Sequence, residues 1–147
     1  MSKQGDVSLI SMVWQAEAFA KERHFGQFDR AGVPYIEHPR AVAAKVDTDT
    51  EKVVAFLHDT VEDTNTTLDE IRNKFGTEVA DAVECLTHKK GVPYMEYVKG
   101  IKTNDLARRV KLADLSHNMD LSRLPKVTDA DLKRVEKYRE AYEFLMA

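Results

Sequence analysis

The sequence predicts an all-α fold, a helical bundle forming a single domain, and three observations support this prediction. Apolar residues recur at helical spacing along most of the 147 residues. No alternation of apolar and polar residues typical of a strand extends beyond a few positions. Glycine and proline are scarce, with 6 and 4 copies, so helix breakers are confined to short turns. We therefore expect one domain over residues 1–147, with about seven or eight helices joined by short connections.

Capping residues and breakers set the limits of the predicted helices. Thr67 followed by Glu70 has the spacing of a capping box, which opens a helix that ends at Gly76. Pro39 suits the first turn of another helix. Together with the apolar periodicity, these signals predict helices over residues 7–24, 40–46, 51–61, 67–76, 77–87, 93–99, 104–121 and from residue 128 onward.

Two further capping boxes are predicted, one at Thr48 and Glu51 and the other at Thr128 and Asp131. The second opens the last helix, which has apolar residues at helical spacing along one side. The inward face of this helix is expected to consist of Leu132, Val135, Tyr138, Tyr142 and Leu145.

The composition limits the possible classes of function. Hydrophobic residues make up 43% of the chain and charged residues 32%, as in ordinary globular domains. The net charge of -3 gives no general attraction to nucleic acids or anionic membranes. The N-terminal segment lacks the apolar core of a signal peptide, and the single Cys85 excludes an internal disulfide. We expect a cytoplasmic protein with no nucleic-acid or membrane partner, and the sequence leaves the oligomeric state open.

The helix that opens at Thr48 ends in a dense group of ionisable side chains. His58 and Glu62 are four residues apart, as are Asp59 and Asp63, so on a continuous helix each pair lies on adjacent turns. Three carboxylates and an imidazole in this arrangement repel one another and resist desolvation, and a bound cation removes both penalties. The stretch indicates a metal site, although a solvated acidic helix end has the same spacing.

Two other segments offer ligands for the same ion. His38 lies where a loop meets a helix, and Asp114 precedes Asn118 by four residues in an otherwise apolar segment. Polar side chains in such a segment need a partner if they are buried. Two imidazoles and two carboxylates suit Mn²⁺, Fe²⁺ or Zn²⁺ better than Ca²⁺ or Mg²⁺, and the sequence does not choose among the first three.

Four segments of the chain carry a family resemblance: Gly32–Pro39, Leu57–Thr64, Phe75–Val79 and Lys111–Met119. They resemble the hydrolase domain of the bifunctional RelA/SpoT alarmone enzymes and the Mesh1-type small alarmone hydrolases. Both belong to the HD superfamily of metal-dependent phosphohydrolases, so the chain is expected to be a single HD domain. The match runs in the same order over residues 24–138.

The resemblance implies a set of site residues and a reaction. Glu62 and Asp63 would position and deprotonate the attacking water or assist the leaving group. The reaction would hydrolyse the 3′-diphosphate of guanosine tetra- or pentaphosphate (ppGpp or pppGpp) to GDP or GTP and pyrophosphate. One Mn²⁺ would be held by four ligands, His38, His58, Asp59 and Asp114.

The resemblance also implies substrate contacts, with one departure from the family pattern. Relatives usually carry an arginine at position 29 that stacks on guanine, but this chain has Asp29. Arg30 could replace that arginine, or Phe28 could supply a stacking face. Three other residues match substrate contacts in these hydrolases: Asn118, Lys90 and Arg134.

The departure at Asp29 keeps a second function open. This alternative is an HD phosphohydrolase acting on another nucleotide, such as a nucleoside monophosphate, NADPH or a modified nucleotide. A third interpretation is a nucleotide-binding regulatory module with little turnover, although all six implied metal-binding and acid–base residues are present. Because the chain ends at Ala147, where the bifunctional relatives continue into a synthetase domain, we expect hydrolysis alone.

Overall fold

The computed structural model describes the backbone of residues 2–147 and the side chains from residue 12 onward. Within this part of the chain there are nine α-helices, a short 3-10 turn at Leu121–Arg123, and an isolated bridge between Phe28 and Pro34. The all-α prediction is confirmed. The helices are α1 (Ser2–Arg23), α2 (Glu37–Ala44), α3 (Asp49–Leu57), α4 (Thr60–Asp63), α5 (Leu68–Phe75), α6 (Thr77–Leu86), α7 (Tyr94–Lys102), α8 (Asp105–Asn118) and α9 (Asp129–Met146).

The predicted continuous helix over residues 51–61 is wrong, because the structure breaks it at His58 and Asp59. The Thr60 hydroxyl donates to the Leu57 carbonyl at 2.8 Å, and His58 Nδ1 lies 2.5 Å from the Ala55 carbonyl. Side-chain bonds of this kind compete with continuation of the helix. The helix therefore ends at Leu57, and the one-turn α4 begins at Thr60.

Local capping explains where other helices begin. Thr67 with Glu70 and Thr128 with Asp131 both form complete capping boxes, as predicted. At α3 only half of the box forms. The Thr48 side chain accepts from the Glu51 amide at 3.1 Å, but its hydroxyl also donates to the Glu51 carboxylate at 3.0 Å. All three helices nevertheless begin with a satisfied backbone N–H group.

The centre of the core is α3, which packs against α1, α2, α6 and α8. Its side chains Val53, Val54 and Leu57 have no exposed surface. Because α2, α3 and α8 also pack on one another, side chains that are far apart in the sequence meet where these three helices cross. This crossing positions the site described below.

The last helix packs on the core mainly through its C-terminal half, where Ala141 and Leu145 are buried. The predicted inward position of Leu132 is wrong, since 53% of this residue is exposed. The N-terminal half of α9 borders a pocket, to which it contributes Val135 and Tyr138. Within the described residues, none of the helices has the length and apolar character needed to cross a membrane.

Candidate metal centre and adjoining pockets

The crossing of α2, α3 and α8 gathers three of the predicted ligands. His38 lies in the first turn of α2, His58 caps α3, and Asp114 lies in the last half of α8. One ligand atom from each lies within 4.8 Å of the other two. All three residues are buried, with 6%, 2% and 4% of their surfaces exposed. Burial of a carboxylate with two imidazoles requires compensation by hydrogen bonds or a cation.

The fourth predicted ligand, Asp59, lies next to these imidazoles at the α3–α4 junction. Its Oδ2 atom is 3.1 Å from His58 Nε2 and 3.8 Å from His38 Nε2. Asp114 Oδ1 is 2.8 Å from His38 Nε2 and 3.4 Å from His58 Nε2. Ligand atoms bound to one ion at about 2.1 Å and at right angles lie about 3 Å apart. The four separations are of the size that one ion requires, and the group in which every ligand atom lies within 4.8 Å of every other consists of His38, His58 and Asp114, with Asp59 beside it.

Hydrogen bonds to the outer ring nitrogens orient the two imidazoles. His58 Nδ1 donates to the Ala55 carbonyl, which leaves Nε2 as the ring nitrogen that faces the cluster and that offers a lone pair once it has lost its proton. This Nε2 is buried and has no hydrogen-bond partner among the described residues. His38 Nδ1 lies 2.7 Å from His117 Nδ1. A buried ring nitrogen without a hydrogen-bond partner, beside two carboxylates, fits a metal ligand.

The two carboxylates are held by neutral and cationic donors. The Tyr35 hydroxyl donates to Asp59 Oδ2 at 2.5 Å. Lys111 donates to Asp114 Oδ2 and Asn118 to Asp114 Oδ1, each at 3.0 Å. Burial and the charge of Asp59 raise the pKa of Tyr35, which keeps its hydroxyl a donor. Donors of this kind hold metal ligands in place and tune their basicity.

The ionisable groups of the cluster shift one another's pKa values. Burial opposes the charged form of His58, but the carboxylates of Asp59 and Asp114 raise its pKa well above the usual value. Burial likewise opposes ionisation of the two carboxylates, but cationic neighbours lower the pKa of both. Without a metal, a proton on His58 therefore neutralises part of the acidic charge. A divalent ion can replace that proton.

The two predicted acid–base residues lie on α4 at the edge of the cluster. The Glu62 carboxylate accepts from the His88 amide at 2.8 Å, and Gln27 donates to the Asp63 carbonyl at 3.0 Å. Desolvation and the charges of Asp59 and Glu62 raise the pKa of Asp63 to about 6. Both residues line a polar cleft of about 270 Å³, here called the acidic cleft, which also exposes Asp59 and Asp114.

A second, larger pocket of about 300 Å³ adjoins the acidic cleft, and Tyr35, Asn118 and Tyr138 line both. Its walls combine apolar side chains with arginines from the loop after α1, the 3-10 turn and α9. Three of the four predicted substrate contacts, Asn118, Arg30 and Arg134, line this pocket or the cleft. Lys90 is exposed in the turn after α6 and lines neither space in the described part of the chain.

The three arginines that line the larger pocket all form ion pairs. Asp29 accepts from the amides of Ala31 and Val33 at 2.9 and 3.0 Å, and from Arg123 Nη1 at 3.1 Å. Arg30 and Arg134 both donate to Asp131. Asp29 therefore stabilises its own loop and positions the Arg123 guanidinium at the pocket wall. The sequence did not indicate the pairing of Asp29 with Arg123.

Sequence reasoning missed several residues that support the cluster. The sequence predicts no role for His117, and it indicates Tyr35 and Lys111 only as members of segments that match the family. The signal for Lys111 and His117 was available, because each is three residues from Asp114 on one helix and shares its face. Tyr35 gave no such signal, since its partner Asp59 is 24 residues away.

Comparisons with known proteins identify the family of the chain. A family model described as HD domain matches residues 16–119. The guanosine-3′,5′-bis(diphosphate) 3′-pyrophosphohydrolase MESH1 of Xenopus tropicalis is 40% identical over 127 residues, which are 77% of this chain and 71% of that protein. The Homo sapiens MESH1 is 41% identical over 130 residues, covering 79% of this chain and 73% of the relative. The resemblance found in the sequence is confirmed.

Longer relatives contain the same region within a larger protein. A guanosine-3′,5′-bis(diphosphate) 3′-pyrophosphohydrolase of Aquifex aeolicus (strain VF5) is 38% identical over 143 residues. The match covers 82% of this chain, which spans only 20% of that relative's length. A solved structure of a metazoan ortholog of SpoT superposes with a TM-score of 0.76 and 21% identity, covering 91% of this chain and 84% of the other. At this identity the likeness shows a shared fold.

Proposed function

The chain belongs to the HD-domain family, and on that premise we propose that it hydrolyses the 3′-diphosphate of guanosine tetra- or pentaphosphate. The products are GDP or GTP and pyrophosphate. The observation that carries the proposal is the convergence of His38, His58 and Asp114, with Asp59 next to the two imidazoles, beside a cleft lined by Glu62 and Asp63. The names of the MESH1 relatives, of which the match covers 71% and 73%, support the choice of substrate.

HD domains depend on a divalent metal, and the donor set here fits one. The ion we propose is Mn²⁺, held by the four predicted ligands, because two imidazoles and two carboxylates form a mixed nitrogen and oxygen set. Fe²⁺ and Zn²⁺ satisfy the same donors. A divalent ion supplies two effects when bound, a lowered pKa for water and partial neutralisation of phosphate charge. The proposed ligands are His38, His58, Asp59 and Asp114.

The remaining chemistry is proton transfer by the carboxylates of α4. A water oxygen forms a bond to the phosphorus attached to the ribose 3′ oxygen, and the bond between that phosphorus and O3′ breaks. Asp63 or Glu62 takes the proton that the water loses, and a proton is returned to the departing O3′. The raised pKa of Asp63, about 6, suits a base that is ionised at neutral pH and can hold a proton briefly.

The larger pocket is the proposed binding site for the nucleoside. It lies beside the metal cluster, and its walls combine the exposed ring of Phe28 with the guanidinium of Arg123. Such faces stack on a planar base. Asn118 donates to Asp114 and lines both spaces, so it is placed to contact the ribose next to the scissile bond.

A nucleotide panel tests the proposal. The purified protein is loaded with Mn²⁺ and incubated with guanosine tetraphosphate, and the products are separated by ion-exchange chromatography. We expect GDP and pyrophosphate in equal amounts. Glu78→Gln, which changes an exposed glutamate on α6 outside both spaces, serves as a matched control and should leave the rate unchanged.

The second candidate is an HD phosphohydrolase for another nucleotide. Asp29 favours it, because this side chain places a carboxylate, already paired with Arg123, at the wall where relatives present an arginine to guanine. The panel therefore includes nucleoside monophosphates, NADPH and adenosine analogues. Activity confined to substrates without a 3′-diphosphate would replace the first proposal with this one. Tight alarmone binding without product would favour a regulatory module.

A further inference from the structure

The acidic cleft has a cationic and aromatic wall that the proposed chemistry does not use. We define this cationic wall by Tyr94 on α7, Lys111 on α8 and Lys137 on α9. All three line the cleft with Glu62 and Asp63, and none lines the larger pocket. The wall therefore belongs to the cleft and not to the pocket proposed for the nucleoside.

The Tyr94 hydroxyl is the first observation that indicates a ligand-binding role for this wall. It is buried and has no hydrogen-bond partner within the described residues. Burying a hydroxyl without a partner is unfavourable, because it loses its hydrogen bonds to water. The neighbouring Tyr97, by contrast, donates to the Leu86 carbonyl at 2.7 Å. An anionic oxygen in the cleft would satisfy the Tyr94 hydroxyl.

Lys137 is the second sign. Its Nζ lies 4.3 Å from the centre of the Tyr94 ring, and it makes no ion pair with any carboxylate of the described part. The other acidic-cleft lysine, Lys111, is largely buried and pairs with Asp114 at 3.0 Å. Its Nζ also lies 5.2 Å from the centre of the Tyr97 ring. The ammonium groups of Lys111 and Lys137 thus lie against aromatic rings at the edge of the acidic cleft.

We propose that Tyr94, Lys111 and Lys137 bind the terminal phosphate of the substrate's diphosphate group, and hence the pyrophosphate product. This inference rests on the proposed function, since it assigns one end of the same substrate. A diphosphate is longer than the metal cluster, so the phosphate distal to the ribose must lie beyond the attacked phosphorus. The cationic wall offers that phosphate one hydroxyl donor and two ammonium groups.

The distal phosphate also needs these cations for an electrostatic reason. Asp59, Glu62, Asp63 and Asp114 all line the cleft and repel a phosphate that carries about two negative charges. A metal ion compensates for this repulsion at the attacked phosphorus but less so at the distal one. Lys137 has no competing carboxylate and is the group best able to offset it. Lys90, which the sequence indicated as a phosphate contact, lines neither space.

The test measures binding of inorganic pyrophosphate by calorimetry. The protein is loaded with Mn²⁺ and freed of excess metal, so that pyrophosphate meets only the bound ion. Lys137→Ala and Tyr94→Phe should each weaken pyrophosphate binding about tenfold, the effect of losing one charge-assisted hydrogen bond. The matched control, Lys133→Ala, removes an exposed lysine of the same helix that lies outside the cleft, and it should bind as the wild type does.

Tyr94→Phe separates a binding role from a structural one. Because the hydroxyl has no partner in the folded protein, its removal should leave the melting temperature unchanged or higher while pyrophosphate binding weakens. A lower melting temperature with unchanged binding would overturn the inference. Equal pyrophosphate affinity for Lys137→Ala, Lys133→Ala and wild type would overturn it as well.

The outcomes also distinguish this inference from the proposed function. If guanosine tetraphosphate is hydrolysed but the variants bind pyrophosphate normally, the inference fails alone. If guanosine tetraphosphate is not hydrolysed but Lys137→Ala and Tyr94→Phe weaken pyrophosphate binding, the wall binds diphosphates and the proposed nucleotide is wrong. For the hydrolysed substrate, Lys137→Ala should raise KM more than it lowers kcat.

Discussion

The side chains near the cluster are of two kinds: those that would bind an ion, and those that orient the ion-binding side chains. His38 shows the division most clearly, because its two ring nitrogens face different partners. Nε2 lies 2.8 Å from Asp114, whereas Nδ1 lies 2.7 Å from His117. For His38 to bind a metal through Nε2, its Nδ1–H must donate to His117. Burial and the nearby His38 lower the pKa of His117 to about 4, so it is neutral and can accept.

Replacing His117 should therefore weaken metal binding without removing a ligand. His117→Ala is expected to reduce Mn²⁺ affinity about 10- to 100-fold, as for other residues that orient a ligating histidine. Mn²⁺ titration followed by electron paramagnetic resonance measures this affinity. Ser116→Ala, one residue earlier on the same helix, is the control. Unchanged affinity in His117→Ala would show that His38 is oriented by packing alone.

The pKa of His58 predicts that metal binding releases a proton. Asp59 and Asp114 raise that pKa, so the metal-free protein holds a proton on His58 at neutral pH. The protonated imidazole stabilises the folded metal-free protein, and this contribution is lost as the pH rises through the raised pKa. An ion must displace this proton. The heat of Mn²⁺ binding should differ between two buffers of different ionisation enthalpy, and affinity should fall about tenfold per pH unit below neutrality. Identical heats in both buffers would contradict this account.

Among the elements, the short helices depend on their caps more than the long ones do. The helix α5 has only 8 residues, and its first turn is closed by Thr67 and Glu70. Glu70 also accepts from Arg23 of α1 at 2.7 Å, so the cap links two elements. Local sequence determines such caps, which is why the boxes at Thr67 and Thr128 could be predicted.

Thr67→Ala should lower the free energy of unfolding by about 1 kcal/mol. The substitution leaves the Glu70 amide without its side-chain acceptor and releases one partner of the capping box. For a domain of this size the melting temperature should fall by about 3 °C. Thr77→Ala, an exposed threonine at the start of α6 whose side chain makes no hydrogen bond in the described part, is the control. Equal melting temperatures for the two variants would refute the role of the cap.

The α3–α4 break shows where local reasoning fails. Periodicity alone predicted one helix through Val61, because Val54, Leu57 and Val61 share a face on a continuous helix. The break depends on the bonds of Thr60 to Leu57 and of His58 to Ala55, which a periodic pattern does not encode. Helix formation was predictable because it is local, whereas this interruption follows from side-chain bonds that turn His58 and Asp59 toward α2 and α8.

At the scale of the whole molecule, the site exists only because three helices cross. His38 and Asp114 are 76 residues apart, and spacing could identify them as candidates but not show that they meet. The family resemblance supplied that step. Support from Tyr35 and the pairing of Asp29 with Arg123 could not be predicted, because each joins segments whose relation depends on the tertiary fold. The exposure of Leu132 also depends on the tertiary fold. Periodicity predicts that Leu132 faces inward, but α9 packs on the core mainly through its C-terminal half.

A site built across three helices links metal binding to global stability. An ion that binds only the folded protein raises the free energy of unfolding by about 2.7 kcal/mol at a hundredfold excess over Kd. Differential scanning calorimetry should then show a rise in melting temperature of about 5–10 °C with Mn²⁺. Asp114→Asn should abolish the rise. The same melting temperature with Mn²⁺ and with chelator would mean that the helices do not share an ion.

The most direct test of the central claim compares Glu62→Gln with Asp114→Asn for both Mn²⁺ binding and hydrolysis of guanosine tetraphosphate. The account predicts that Glu62→Gln retains the metal but loses about 10²- to 10⁴-fold in turnover, the usual contribution of a proton-transferring side chain. Asp114→Asn should lose both metal and turnover. Normal turnover in Glu62→Gln, or normal metal binding in Asp114→Asn, would contradict the account.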